Sequence, residues 1–188
     1  MKKYLVFIFI ILLSFTLLSA ADWDQIIKAV ASDRAANDHF GYSVAISGNY
    51  AIIGAYFEDQ DSSGTDSLSK AGSAYIFAKS GDTWIQEQKL VASDRAADDE
   101  FGMSVAVSGN YAIVGAYQQD EDASGANTLI NAGAAYIFYN DGTTWVQQQK
   151  VVASDRSVYR YFGNSVAISG NYAIVGAYRE DGDANGEN

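Results

Sequence analysis

Three hexapeptides in this chain carry oxygen donors at the spacing of a cation-binding loop. "DQDSSG" (Asp59 to Gly64), "DEDASG" (Asp120 to Gly125) and "DGDANG" (Asp181 to Gly186) all follow D-x-D-x-[S/N]-G. In a calcium loop, positions one, three and five supply hard side-chain oxygens and the glycine makes the sharp turn. The candidate ligands are therefore Asp59, Asp61 and Ser63, then Asp120, Asp122 and Ser124, then Asp181, Asp183 and Asn185. Position nine is Ser67 or Thr128 and position twelve is Lys70 or Asn131, so the bidentate glutamate that closes such a loop is missing. A low-affinity Ca2+ site is one expectation. The other is an acidic, solvated loop rich in turn formers.

Catalytic chemistry has few candidates. There is no cysteine nucleophile, and the one histidine, His39, is replaced by Glu100 and Tyr161 at the equivalent positions further on. A residue that changes freely among otherwise similar segments reads as a loop position rather than a general base. "ASDR" recurs, placing Asp33 beside Arg34, Asp94 beside Arg95 and Asp155 beside Arg156. Because every copy keeps the pair, ion pairing between neighbouring units is expected in preference to an active site. Trp23, Trp84 and Trp145, with the tyrosines, could stack on a carbohydrate, but their fixed places on expected strands favour packing between units. No catalytic or organic-cofactor residue is assigned.

These residues sit in a tandem array. Phe-Gly at 40–41, 101–102 and 162–163, the three tryptophans, and Asp59, Asp120 and Asp181 all recur at a period of 61 residues. Within a unit, "YSVAIS" (Tyr42 to Ser47) alternates large and small side chains with the period of two that marks a strand. Gly48-Asn49 suits a tight hairpin turn, and "YAIIGA" returns antiparallel. "SAYIF" (Ser73 to Phe77) and "TWIQEQKLV" (Thr83 to Val91) complete four strands. The polar run Gln86 to Lys89 is expected to face solvent at an exposed edge. Small sheets that are apolar on both faces must stack on one another, which gives propeller blades.

"FGYSVAISGNYAIIGAY", with "AGSAYIF" following, resembles the FG-GAP repeat of integrin α-subunit propellers and of many secreted bacterial proteins. The resemblance implies an all-β fold of four-stranded β-propeller blades, with an extracellular binding or adhesion role. One departure is constant: tyrosine stands at Tyr56, Tyr117 and Tyr178 where the family has the proline of Gly-Ala-Pro. The calcium turn of integrin-type units, between first and second strands, is here only Ser47-Gly48-Asn49-Tyr50 and lacks carboxylates, so that site is absent.

The organisation expected is a signal peptide at 1–21, an orphan fourth strand at 22–30, and repeats at 31–91, 92–152 and 153–188, the last truncated. Lys2 and Lys3, the apolar run to Leu18 and Ser19-Ala20-Ala21 give the signal, with cleavage before Asp22. No membrane insertion is expected after cleavage. Loss of the two lysines takes the formal charge from −11 to −13, which opposes nucleic acid and anionic membranes. With neither cysteine nor proline, stability rests on packing or bound ions. Propellers have roughly four to eight blades, so the chain reads as part of a longer product, or as an arc that self-associates. The function expected is a secreted or cell-surface, non-catalytic module for a protein or glycan ligand. Alternatives are the propeller portion of a larger extracellular enzyme or a structural envelope protein.

Overall fold

The computed structural model describes residues 27–180. Among these described residues there is no helix and there are three antiparallel sheets, in line with the all-β blade array expected. The first sheet is β1 (Ser43–Ser47), β2 (Tyr50–Ala55), β3 (Ser73–Ser80) and β4 (Thr83–Leu90), paired in that order. The second repeats it with β5 (Phe101–Ser108), β6 (Tyr111–Ala116), β7 (Ala134–Asn140) and β8 (Trp145–Val151). Of the third, β9 (Phe162–Ser169) and β10 (Tyr172–Ala177) are described. The three sheets form an incomplete β-propeller of repeated blades. Of the closing strand expected at 22–30, residues 27–30 carry no strand and the remainder, like the signal peptide, lies outside the described residues.

Register follows from the turns. Gly48-Asn49 pairs Ser47 with Tyr50, and Gly109-Asn110 pairs Ser108 with Tyr111, with both glycines left-handed. A bulge then inserts Glu87 in β4 and Gln148 in β8, each opposite the step from isoleucine to phenylalanine on the third strand.

The blades pack face to face through one main core. Ile52, Ile76 and Leu90 of the first blade meet Val105, Val114, Tyr136 and Phe138 of the second. Glycines set how closely they approach. A Cβ on Gly54 would lie 2.0 Å from the Gly102 carbonyl oxygen, and one on Gly72 would lie 2.0 Å from that of Phe101. The next junction repeats this with Gly115 and Gly133 against Gly163 and Phe162. The glycines of Phe-Gly, Gly-Ala and Ala-Gly thus bring backbone onto backbone between blades. The Ser43 and Ser104 hydroxyls donate across the same junctions to the Gly102 and Gly163 carbonyls, at 2.8 and 2.7 Å.

Trp145 is buried between blades as expected. Its ring meets Tyr50 edge-on, its backbone N–H donates to Gln88 and its indole N–H donates to Glu87. Lys89 departs from expectation: its side chain is 5% exposed rather than solvated. Its ammonium lies 2.7 Å from Asp33 and 3.3 Å from Glu58, and these carboxylates draw it inward. Lys150 does the same with Asp94 at 2.7 Å.

Candidate functional site

The loops joining second to third strands, and those leading into each Phe-Gly, lie together at one end of the blades. The first group holds the acidic hexapeptides. The Asp61 carboxylate accepts from the backbone N–H groups of Ser63 and Thr65 at 3.0 and 2.9 Å, and from the Ser63 hydroxyl at 2.9 Å. These bonds, led by that from Thr65, hold Asp61 down at about 2. Asp122 repeats the arrangement, accepting from Ser124 N–H, the Ser124 hydroxyl, Ala126 N–H and the Asn127 side-chain amide. Asp59 and Asp120 each accept one backbone N–H, from Lys70 and Asn131, both at 2.7 Å.

The oxygens proposed for calcium therefore face N–H and hydroxyl groups of their own loops. A carboxylate offers about four lone-pair sites, so these bonds order the loop and leave acceptor capacity toward a cation that gathers six to eight oxygens. Among the described residues, no group of three or more His, Cys, Asp or Glu side chains is arranged to hold a metal ion. Asp181, Asp183 and Asn185 lie outside the described residues.

"ASDR" ties the loops of adjacent units together. Its aspartate receives the buried lysine of its own blade, as above. Its arginine reaches back to the preceding acidic loop. Arg95 donates to the Asp59 carbonyl at 2.7 Å and lies 3.6 Å from the Asp66 carboxylate. Arg156 donates to the Asp120 and Asn127 carbonyls at 2.6 and 3.0 Å. Of the ion pairing between units expected for this motif, Arg95 with Asp66 is the one instance among the described residues; the aspartates pair with lysine inside their own blade, and Arg156 meets backbone carbonyls.

Beneath these loops lies a layer of buried acids. Glu58 accepts the Tyr75 hydroxyl at 3.0 Å and stands near Asp38, whose carboxyl is raised by burial. In the next unit the equivalent pair is Gln119 and Asp99. Asp99 accepts from Ala96 N–H at 2.8 Å and from the Gln119 amide at 3.2 Å. Burial pushes its carboxyl up to about 7, and Glu121 and Asp94 add repulsion. The layer supports the loops from below.

At the rim, the residue before each Phe-Gly is left-handed, with φ of 57° at His39, 55° at Glu100 and 57° at Tyr161. Side-chain-bearing residues adopt this conformation at a cost, and here the surroundings enforce it. Glu100 N–H and Tyr161 N–H each donate at 3.0 Å to the preceding loop, at the Lys70 and Asn131 carbonyls. Their side chains meet the tyrosines that replace the family's proline. His39 Nδ1 lies 2.8 Å from the Tyr56 hydroxyl. Tyr117 packs 5.5 Å from Tyr161, which stacks on Tyr178 at 5.2 Å. Sequence reasoning missed this cluster. The signal was the tyrosine departure itself, constant in all three units and meeting a position that varies.

A family model described as the FG-GAP repeat matches residues 23–77, 84–138 and 145–188, most of the chain. Each match starts at a tryptophan, so the family's frame joins the outer strand of one blade to the inner strands of the next. No curated protein matches the chain.

Proposed function

The chain belongs to the FG-GAP repeat family, and from that premise we propose that it is a secreted or cell-surface, non-catalytic binding module whose propeller rim presents loops to a protein or glycan partner. The observation that carries this reading is the contrast between an invariant frame and a variable rim. Glycine contacts, Asp-Arg clamps and lysine pairs repeat from unit to unit. His39, Glu100 and Tyr161 differ on one backbone conformation, as do exposed Ser69 and Ile130 on the clamped loops. Rigid scaffolds that carry differing loops are how binding surfaces are commonly built.

Repeats of this family are generally non-catalytic and typically extracellular. Most carboxylates described at the blade ends accept from backbone, lysine or arginine donors, as Asp61, Asp33 and Asp66 do. Among the described residues, no helix is long and apolar enough to cross a membrane. The reading includes association between copies through the outward blade faces, and it takes the N-terminal segment as an export signal.

Export is tested by expressing the chain with a C-terminal tag in a secreting host and sequencing the N-terminus of the extracellular product. Recovery outside the cell with Asp22 first supports the reading. Retention inside with Met1 intact overturns its localisation. Binding is tested by probing the immobilised chain with extracellular-matrix proteins and a glycan array, then replacing Ser69 and Ile130 by Ala. A partner lost on substitution supports the rim as its site, whereas binding unaffected by the change places the surface elsewhere.

A further inference from the structure

The two junctions between blades are built alike, and each has two unlike halves. One half lies on the first two strands of a blade, with Ser43 and Ser47 on β1 and Ile52 and Gly54 on β2. The other is the Phe-Gly and first strand of the blade that follows. There Val105 and Val107 share one core cluster with Ile52, and Tyr50 packs against it. The Ser43 hydroxyl donates to the Gly102 carbonyl at 2.8 Å, and Gly109 N–H donates to the Ser47 hydroxyl at 3.4 Å. One period on, the Ser104 hydroxyl donates to the Gly163 carbonyl at 2.7 Å, and Gly170 N–H donates to Ser108 at 3.0 Å.

Among the described residues, each half also stands open once. The third unit presents Ser165, Ser169, Ile174 and Gly176 in the places of Ser43, Ser47, Ile52 and Gly54. A Cβ on Gly54 or Gly115 would strike a glycine carbonyl of the next blade, whereas one on Gly176 would meet only Ser165 of its own blade. Tyr172 and Ile174 are 83% and 71% exposed. The first unit presents the opposite half, with Gly41, Val44, Ile46 and Gly48. Gly41 has a φ of 91°, against 94° at Gly102 and 90° at Gly163, yet a Cβ there would meet nothing within 4 Å. Its N–H donates to Gly54 at 3.0 Å, so its own blade sets this conformation before any neighbour arrives.

We propose that a second copy of the chain docks head to tail, its first unit on the third unit of the copy before it. Ser165 then donates to the Gly41 carbonyl of the second copy, whose Gly48 N–H donates to Ser169. Val44 and Ile46 of the second copy cover Tyr172 and Ile174, removing apolar surface from water on both sides. A second copy is the occupant because the two open faces are the two halves of a junction that the chain already builds twice. Either face set against its own kind leaves Ser165 without a glycine carbonyl or Gly48 without a serine. This rests on the association through outward blade faces included in the reading above, and gives it a polarity. Unlike faces meet, so no two-fold axis relates the copies, and assembly ends only where a ring closes.

Sedimentation velocity of two variants, alone and mixed, tests this. Val44→Lys with Ile46→Lys blocks one face, and Tyr172→Lys with Ile174→Lys blocks the other; all four side chains are more than half exposed, so the core is untouched. Each variant alone should be monomeric. An equimolar mixture should give a dimer and nothing larger, because one open face of each kind remains, and its appearance shows that both variants fold. Ser165→Ala with Ser169→Ala, which removes only the two hydroxyls, should weaken association of the otherwise unaltered chain about tenfold. A dimer formed by either lysine variant alone would mean that like faces pair, which overturns head-to-tail docking and leaves association through these faces standing. A mixture that stays monomeric while circular dichroism shows both variants folded overturns the proposal, as does association indifferent to the serine changes. If the unsubstituted chain is a monomer at every concentration, both the polarity and the association fall, and the faces belong to another occupant.

Discussion

Asp99 shows what one residue contributes to stability when its surroundings oppose its charge. It is 4% exposed, and its carboxyl titrates near 7 rather than in the usual carboxylate range. The folded state therefore holds this proton more tightly than the unfolded chain does. The favourable contribution is fully present below about pH 4 and is lost as pH rises through 7. Asp99→Asn keeps an acceptor for Ala96 and Gln119 without the charge. It should raise Tm by about 3–8 °C at pH 8 and leave it nearly unchanged at pH 4. Thermal melts of both proteins across that range check this; equal gains at both pH values would show that Asp99 is not the titrating group. The same scale decides the acidic loops. With no group of three or more His, Cys, Asp or Glu side chains gathered among the described residues, millimolar Ca2+ should leave Tm unchanged. A rise of several degrees, abolished by Asp61→Ala with Asp122→Ala, would show that these loops gather around the ion.

At the scale of elements, the Asp-Arg pair makes separate sheets act as one body. Arg95 reaches from the approach to β5 into the loop following β2, and its side chain is 8% exposed. Arg34 occupies the same place ahead of β1, where it is exposed and has no partner among the described residues. Arg95→Ala should cost about 1–3 kcal/mol through lost bonds to the Asp59 carbonyl and Asp66. Arg34→Ala should cost under about 0.5 kcal/mol. Denaturant unfolding of the two variants gives the comparison, and equal costs would remove the inter-blade clamp from the account.

Across the molecule, equivalent residues differ in environment only by which blade faces them. Val105 and Val107 are 8% and 6% exposed between two blades, whereas their counterparts Val44 and Ile46 are 67% and 68% exposed. At the other end, Ile174 is 71% exposed while Ile52 and Ile113 are fully buried. These outward faces have the composition that seals the internal junctions, so copies of the chain should associate through them. Sedimentation velocity should show association rising with concentration and reduced by Val44→Lys with Ile46→Lys. A monomer at every concentration, or association untouched by the lysines, would count against these faces as the contact.

The sequence alone determined the blade. Alternation in "SVAIS" and "YAIIGA" is a local property of residues two apart, and Gly48-Asn49 fixes the hairpin within four residues, so strands and order were legible without neighbours. The 61-residue period then implied stacking. Tertiary structure decided the fate of each polar side chain. Lys89 reads as part of a solvated edge until Asp33, fifty-six positions earlier, meets it in the fold. Asp61 reads only as an oxygen donor until the loop closes and the N–H groups of Ser63 and Thr65 order its carboxylate. Tyr117 reads as a harmless replacement of proline until the next unit brings Tyr161 against it. Strand periodicity is written in adjacent residues, but burial, ionisation and the rim are properties of groups that only folding places together.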